Sequence, residues 1–391
     1  MRKNDAMKTV FLLLSAALVA VAGCTFLDPP LPLEEPGDKS GGGSGPDSTR
    51  RDTVYLVSAI SFPDSYDWQR DTAFGAVNCT LELYEGANRV LSLPAGPSRR
   101  ISAAPDRHHI IDGRLYSDYC DRSGTTLKCN GKVVAEWEEQ EIVTGILPMD
   151  GRVYTLGRSA SGSGYSFRRD GRVVLQSATA VPLGGFGMDT YGPTGALYMD
   201  KGSVCFSCRD VDGVYLVKDG VAVQAASEPG ALFLDAKALE GKYAVLYKQD
   251  GFTVLMYDGY YVNIDCGGTI DWLDGGIFMH GGEPAVTGRV GTGAPEASTL
   301  GVGLDGDYTD LGADAVSVFF ENGGWRALRV PSGCYFLKRD CAALVDGGFA
   351  LALTPKNGGS PFLEAPGFTH EYKLHGFLSG VAVDIREYDA D

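Results

Sequence analysis

The sequence predicts an all-β domain of propeller type, built from short strands that repeat about every 40 residues behind an exported leader and a flexible stalk. Three observations carry this prediction. Two-residue turn signals recur in number, the runs between them are β-branched and aromatic, and two glycine-centred markers keep step along the chain. Composition permits such a domain. The chain has 391 residues, 44% of them hydrophobic and 10% aromatic, so there is ample material for a core. Its 53 glycines and 19 prolines fall short of the share that marks low-complexity disorder. A formal charge of −16 excludes nucleic acid as a partner, because phosphate binding needs a basic surface.

The leader comes first. Arg2, Lys3 and Lys8 precede an uncharged, mostly apolar run from Val10 to Ala22, too short for a transmembrane helix but of secretory proportions. The run ends in Val21-Ala22-Gly23-Cys24, which resembles the lipobox of bacterial lipoproteins. That resemblance implies cleavage of residues 1–23 and a lipid anchor on Cys24, with the membrane as one partner. Residues 1–23 carry Arg2, Lys3, Lys8 and Asp5, a net +2, so the mature chain carries −18. Adhesion to anionic lipid by charge alone is disfavoured.

Residues 24–52 form the linker. Pro29, Pro30, Pro32 and Pro36 stiffen its start, and Gly41-Gly42-Gly43-Ser44-Gly45 loosens the rest. Thr25 after the cysteine is similar to lipoproteins sorted to the outer membrane, on its periplasmic face or the cell surface. Asp47-Ser48-Thr49, Asp52-Thr53-Val54 and Asp71-Thr72-Ala73 resemble the O-glycosylation sites of Bacteroidetes envelope proteins. They make Ser48, Thr53 and Thr72 candidate glycan acceptors.

The β domain spans residues 53–391. Val54-Tyr55-Leu56-Val57 and Leu81-Glu82-Leu83-Tyr84 open it as strands. Asp-Gly then begins at positions 112, 150, 170, 212, 219, 250, 258, 274, 305 and 346, and Asn-Gly at 130, 322 and 357. These dipeptides favour type I′ hairpin turns, which need positive φ at both central residues. One marker, Gly113, Gly151, Gly195 and Gly241, is spaced by 38, 44 and 46 residues; a second, Gly131, Gly171, Gly220 and Gly259, by 40, 49 and 39. Two markers in register over four units are the signature of propeller blades. Leu232 to Leu239 reads as the one short helix. Less regular units cover 273–311, 315–330 and 341–363, and Phe377 to Ile385 ends the chain as a strand suited to closing the ring. Seven blades are expected, with six or eight as alternatives. The repeats are similar to propeller repeats in general, without the WD dipeptide or the Kelch double glycine.

Chemistry is sparse. Cys120 and Cys129 flank an expected hairpin at Gly124-Thr125, which would set them opposite one another as a candidate disulfide; Cys334 and Cys341 invite the same reading. Cys205 and Cys208 have metal-knuckle spacing without a second pair, and on a strand they point to opposite faces. Gly301 to Gly306 matches a dinucleotide fingerprint with no helix after it, so it reads as a turn. His108-His109 reads as a partly exposed loop pair. Trp68, Trp137, Trp272 and Trp325 read as fillers between blades. The many turn aspartates are required by the backbone, which makes each a weaker catalytic candidate. No catalytic set, metal set or cofactor is assigned. The expectation is an envelope-anchored, non-catalytic module that binds a glycan or a protein partner. A propeller glycosidase or lyase and a structural scaffold in a lipoprotein complex are the alternatives.

Overall fold

The computed structural model describes residues 49–389, apart from 69–76, 99–106, 160–163, 184–195, 240, 251, 264–269, 281–282, 291–299, 303–307, 311–314, 322–323, 330, 332, 336–340 and 346–347. One compact unit covers Arg50–Tyr388; a second comprises Met1–Thr49 with Asp389–Asp391, and almost all of it lies outside the described residues. The candidate lipid anchor Cys24 and the acceptors Ser48 and Thr72 also lie outside them. Thr53 is exposed, on the strand Thr49–Ser61.

Every described element longer than a single turn is a strand, and the strands form seven sheets of four or five, with one separate hairpin. The second sheet shows the plan: Arg107–Ile111, Arg114–Asp121, Gly124–Cys129 and Lys132–Trp137 follow in sequence order, each antiparallel to the last. The third repeats it with Glu141–Met149, Arg152–Ser159, Tyr165–Arg169 and Arg172–Ser177. In the fourth, Val181–Pro182 and Tyr198–Asp200 both pair with Ser203–Arg209, and Val214–Lys218 and Val221–Ala226 follow. The fifth comprises Leu232–Leu239, Lys242–Gln249, Phe252–Tyr257 and Tyr260–Asn263. Leu232–Leu239, expected to be a helix, is therefore a strand. Seven of its eight residues are buried, so burial on both faces overrides a local pattern that only mimics a helical stripe.

In the sixth sheet, Ile270–His280 and Glu283–Val290 join Ala315–Glu321 and Gly324–Arg329. The two units expected at 273–311 and 315–330 are thus one sheet. The hairpin Leu300–Val302 with Tyr308–Asp310 is inserted within it; Gly301 of the dinucleotide-like motif lies on its first strand, and residues 303–307 lie outside the described residues. The seventh sheet is built on Gly348–Pro355, Phe362–Ala365 and Phe368–Glu371. The first sheet then takes its leading strand from the C-terminus, Gly376–Asp389, followed by Thr49–Ser61, Val77–Glu85 and Asn88–Ser98. Both chain ends share one sheet, which is how a propeller closes.

Burial falls across each sheet. In the third, the first strand reads almost wholly buried and the fourth almost wholly half-buried or exposed. First strands therefore line the inside and fourth strands the rim. Sheets pack face to face through successive cores, among them Leu56, Leu81, Ile110 and Leu115 between the first and second sheets, and Leu156, Phe167, Val204 and Phe206 between the third and fourth. The seventh sheet meets the first through Ala350, Leu363, Val57 and Leu378.

Seven two-residue turns have positive φ at both positions: Asp112-Gly113, Asn130-Gly131, Asp150-Gly151, Asp170-Gly171, Lys201-Gly202, Asp219-Gly220 and Asp258-Gly259. They join first to second and third to fourth strands. The third occurrence of the first marker is Gly202, not Gly195, because Tyr198–Asp200 precedes the turn. With Gly202 the spacings become 38, 51 and 39, closer to those of the second marker.

In three of the third-to-fourth turns the first residue also clamps the second strand. Asn130, Asp170 and Asp219 accept the N–H of Leu115, Val153 and Val204 at 2.9, 2.9 and 3.0 Å, and donate their own N–H to the same residues' carbonyls at 2.8, 2.8 and 2.9 Å. Asp and Asn are the residues that both tolerate this backbone and supply the acceptor.

Candidate functional site

Because strands alternate in direction, the turns just described all lie at one end of each sheet. Between the second and third sheets the space is filled by buried Trp137 and the Arg168 guanidinium 5.1 Å from its ring centre. Between the third and fourth it is filled by Leu175, Tyr154 and Tyr215. Between the fourth and fifth lie Cys205, Leu216 and Val245, with Met256 packed against them.

Register shows which exposed residues face one another across the fourth and fifth sheets near these turns. Cys205 pairs with Lys218 and Lys218 with Val221, while Leu216 pairs with Val223. Cys205 and Leu216 belong to the core shared with the fifth sheet, so Val221 and Val223 face that sheet too. On the other wall, Val245 pairs with Met256 and Met256 with Tyr261, and Tyr243 shares their face. Val245 and Met256 pack toward the fourth sheet, and Tyr243 and Tyr261 therefore do so as well. Val221 is 64% exposed, Tyr261 61%, and Tyr260, on the opposite face of the same strand, 76%. Lys242 bridges to Asp258 at 2.9 Å and stands 5.5 Å from the Tyr257 ring centre.

The groups beside them are polar. Lys218, half exposed, meets buried Asp200 at 3.4 Å. Next to Asp200, Tyr198 accepts the Ala238 N–H at 2.7 Å on the inner edge of the fifth sheet. The Lys237 Nζ lies 4.5 Å from the centre of the Tyr198 ring. Burial, reinforced by the nearby Cys205, Asp235 and Asp200, holds the Tyr198 hydroxyl well above its ordinary range and keeps its proton in place. Asp235 is fully buried. One oxygen accepts the Ala236 N–H and the other the Ile277 N–H of the sixth sheet, both at 2.8 Å. Burial raises its carboxyl above the ordinary value, with Lys237 and the two N–H groups opposing that shift.

Other polar groups hold sheets together. Ser379 of the closing strand bonds Ser58 at 3.1 Å and lies 2.6 Å from His108 Nε2, which ties both chain ends to the second sheet. His108 and His109 are buried on the strand Arg107–Ile111 rather than exposed on a loop. His109, not His108, faces Asp118, at 4.0 Å.

The candidate disulfide is not formed. The hairpin turns at Arg122-Ser123, two residues earlier than expected, so Cys120 lies opposite Thr125 and Cys129 opposite Tyr116. Four residue pairs, about 13 Å, separate them, beyond the reach of an S–S bond. Neither is in a disulfide, nor are Cys334 and Cys341 joined to one another. Cys205 and Cys208 do point to opposite faces, into two different cores. Among the described residues, no three His, Cys, Asp or Glu side chains converge as a metal set. Trp68 packs on Phe62 and Phe377, and Trp137 under Arg168, both as space fillers.

The tyrosines at 243, 260 and 261 and the Tyr198–Lys237 pair were not singled out by sequence reasoning. The Asp-Gly-Tyr-Tyr string marked a turn; its readable signal was two aromatics where the equivalent turns carry Lys132-Val133, Arg172-Val173 and Val221-Ala222.

No protein-family model matches the chain, and neither does any curated protein. Solved structures similar in chain path include AztD from Citrobacter koseri, at 9% identity over 87% of this chain and 99% of that one, with a TM-score of 0.39. The dihydro-haem d1 dehydrogenase NirN is 14% identical over 83% and 74%, with a TM-score of 0.43, and BamB from Moraxella catarrhalis 12% identical over 83% and 88%, with 0.34. Likenesses this remote bear on neither ligand nor reaction.

Proposed function

We propose that this protein is a lipid-anchored, seven-bladed β-propeller of a bacterial envelope, of Bacteroidetes type, and that it binds a glycan at the turn end of its fourth and fifth blades. One observation carries the ligand class. Tyr243 and Tyr261 present exposed rings toward the fourth sheet at one end of the fifth, beside hydrogen-bonding and charged groups. Aromatic rings supply flat apolar area, and the polar groups fix orientation, which is the division of labour of a small-ligand site. Binding is better supported than hydrolysis, because Asp235 gives both oxygens to backbone N–H groups and Asp200 engages Lys218. Val221 and Val223 favour a second reading, a protein partner, since aliphatic and aromatic side chains together make interface cores.

Glycan-array binding followed by calorimetry tests the site. Tyr261→Ala and Tyr243→Ala should each weaken oligosaccharide binding at least tenfold, about 1.4 kcal/mol, with melting unchanged. Retention of full affinity by both variants sinks the glycan site. Anchoring by Cys24, with residues 24–52 as the tether, is tested by Cys24→Ser, which should release the protein from the membrane fraction. A variant that stays membrane-bound contradicts the anchor.

A further inference from the structure

The Lys237 ammonium has few partners among the described residues. It is 5% exposed, yet it makes no hydrogen bond and no ion pair with any described residue; its one close partner is the Tyr198 ring. An ammonium has three N–H donors, and a buried charge is costly unless those donors are used. The Tyr198 oxygen accepts from Ala238, which leaves its own proton to give. Donors thus predominate here, and they ask for oxygen acceptors. On the turn side, Lys218, on the same face as Tyr198 and Asp200, is 46% exposed.

Charge decides what kind of acceptor. Lys218 is matched by Asp200, and Lys237 by the nearby Asp235, so these groups are balanced before any ligand arrives. A carboxylate or phosphate would add an unmatched negative charge in a low-dielectric place, beside two acids. A sugar hydroxyl adds none. It accepts from Lys237 and Tyr198 and can donate its own proton toward Asp200. We propose, resting on the glycan reading above, that Lys237 and Tyr198 form the specificity-determining subsite for an uncharged sugar residue, and that this site discriminates against acidic glycans.

The test is calorimetry and thermal shift on the full mature chain with glucose, galactose, N-acetylglucosamine, their neutral oligosaccharides, glucuronate and sodium formate. Neutral sugars should bind the wild-type protein and glucuronate at least tenfold more weakly. Lys237→Met keeps the stem without the charge and should raise the dissociation constant for neutral sugars at least tenfold. Tyr198→Phe, which keeps the ring and removes only the hydroxyl, should do so several-fold and remains informative if Lys237→Met fails to fold. Equal affinity for glucuronate, or tighter binding of formate, overturns the inference in favour of an anion site. Loss of binding in Tyr261→Ala with full retention in Lys237→Met and Tyr198→Phe overturns the subsite while leaving the glycan reading intact. Absence of any sugar binding overturns both and leaves water as the partner of Lys237.

Discussion

Replacing Arg168 with methionine should be among the most damaging single changes in the third sheet. Arg168 is 3% exposed and reaches back across the sheet junction. Its guanidinium donates to both oxygens of buried Glu141, at 3.2 and 2.8 Å, to Glu139 at 3.1 Å and to the Gly171 carbonyl at 3.2 Å, and it lies over Trp137. The Glu139 contact counts for little, because that carboxylate is 62% exposed and screened. Glu141 is different. Its carboxylate packs over Gly157, where even a Cβ would approach within 2.4 Å, so it has no room to turn away. Methionine fills the volume and leaves Glu141 buried without its cation, which costs about 3–5 kcal/mol. For roughly 340 folded residues, at about 2.1 cal/mol/K each, that is a fall in melting temperature of about 4–7 °C. The double variant Arg168→Met with Glu141→Met should recover most of the loss, since an apolar pair of similar volume leaves no charge stranded. Urea titration of the four proteins of this cycle measures both numbers. A single variant within 1 kcal/mol of wild type, or a double variant no better than the single, would show that the junction is not held as described.

Four further outcomes follow from the same geometry. Asp219→Ala loses the clamp on Val204 and a residue suited to positive φ, and should cost about 1–3 kcal/mol in urea titration, whereas Asp219→Asn should be near neutral because Asn130 already serves the same role. Alkylation at pH 8 without reductant should label exposed Cys120 quickly and leave Cys205 and Cys208 unlabelled until unfolding, their thiols being pushed by burial up to about 11 and about 12; a Cys120 that resists alkylation until reduced would restore the disulfide. Deleting Gly376–Asp389 should abolish cooperative unfolding, and Gly376→Ala, whose Cβ would lie 1.9 Å from the Ile60 carbonyl oxygen, should lower the melting temperature; unchanged melting of either contradicts closure through the first sheet. Asp235 binds its proton more tightly folded than unfolded, so its contribution to stability is present at low pH and declines as pH rises from about 3.8 through the raised folded value; Asp235→Asn should flatten that part of the stability–pH curve, and an unaltered curve would assign it elsewhere.

The architecture was legible where a local backbone need dictates residue type. Asp-Gly and Asn-Gly announced six turns of the expected kind because positive φ leaves few alternatives, and the C-terminal strand announced closure because it pairs with the opening strand of the first sheet. A third periodic signal was present and unread. Gly124, Gly164 and Gly213 each stand seven residues before a third-to-fourth turn glycine, at positive φ, and a Cβ there would meet the carbonyl oxygen of Trp137, Ser177 or Ala226 at 2.1–2.5 Å. What misled was register. The Cys120 hairpin turns at Arg122-Ser123, a pair without a strong turn signature, and a shift of two residues separated the thiols without changing which face either occupies. The candidate site was harder still. Lys237 and Tyr198 are 39 residues apart and meet because consecutive sheets place their first strands side by side, while Tyr243 and Tyr261 face Val221 only through two registers combined. A repeat protein writes its scaffold in each unit separately, but it builds its sites at the seams, where no single unit's pattern can declare them.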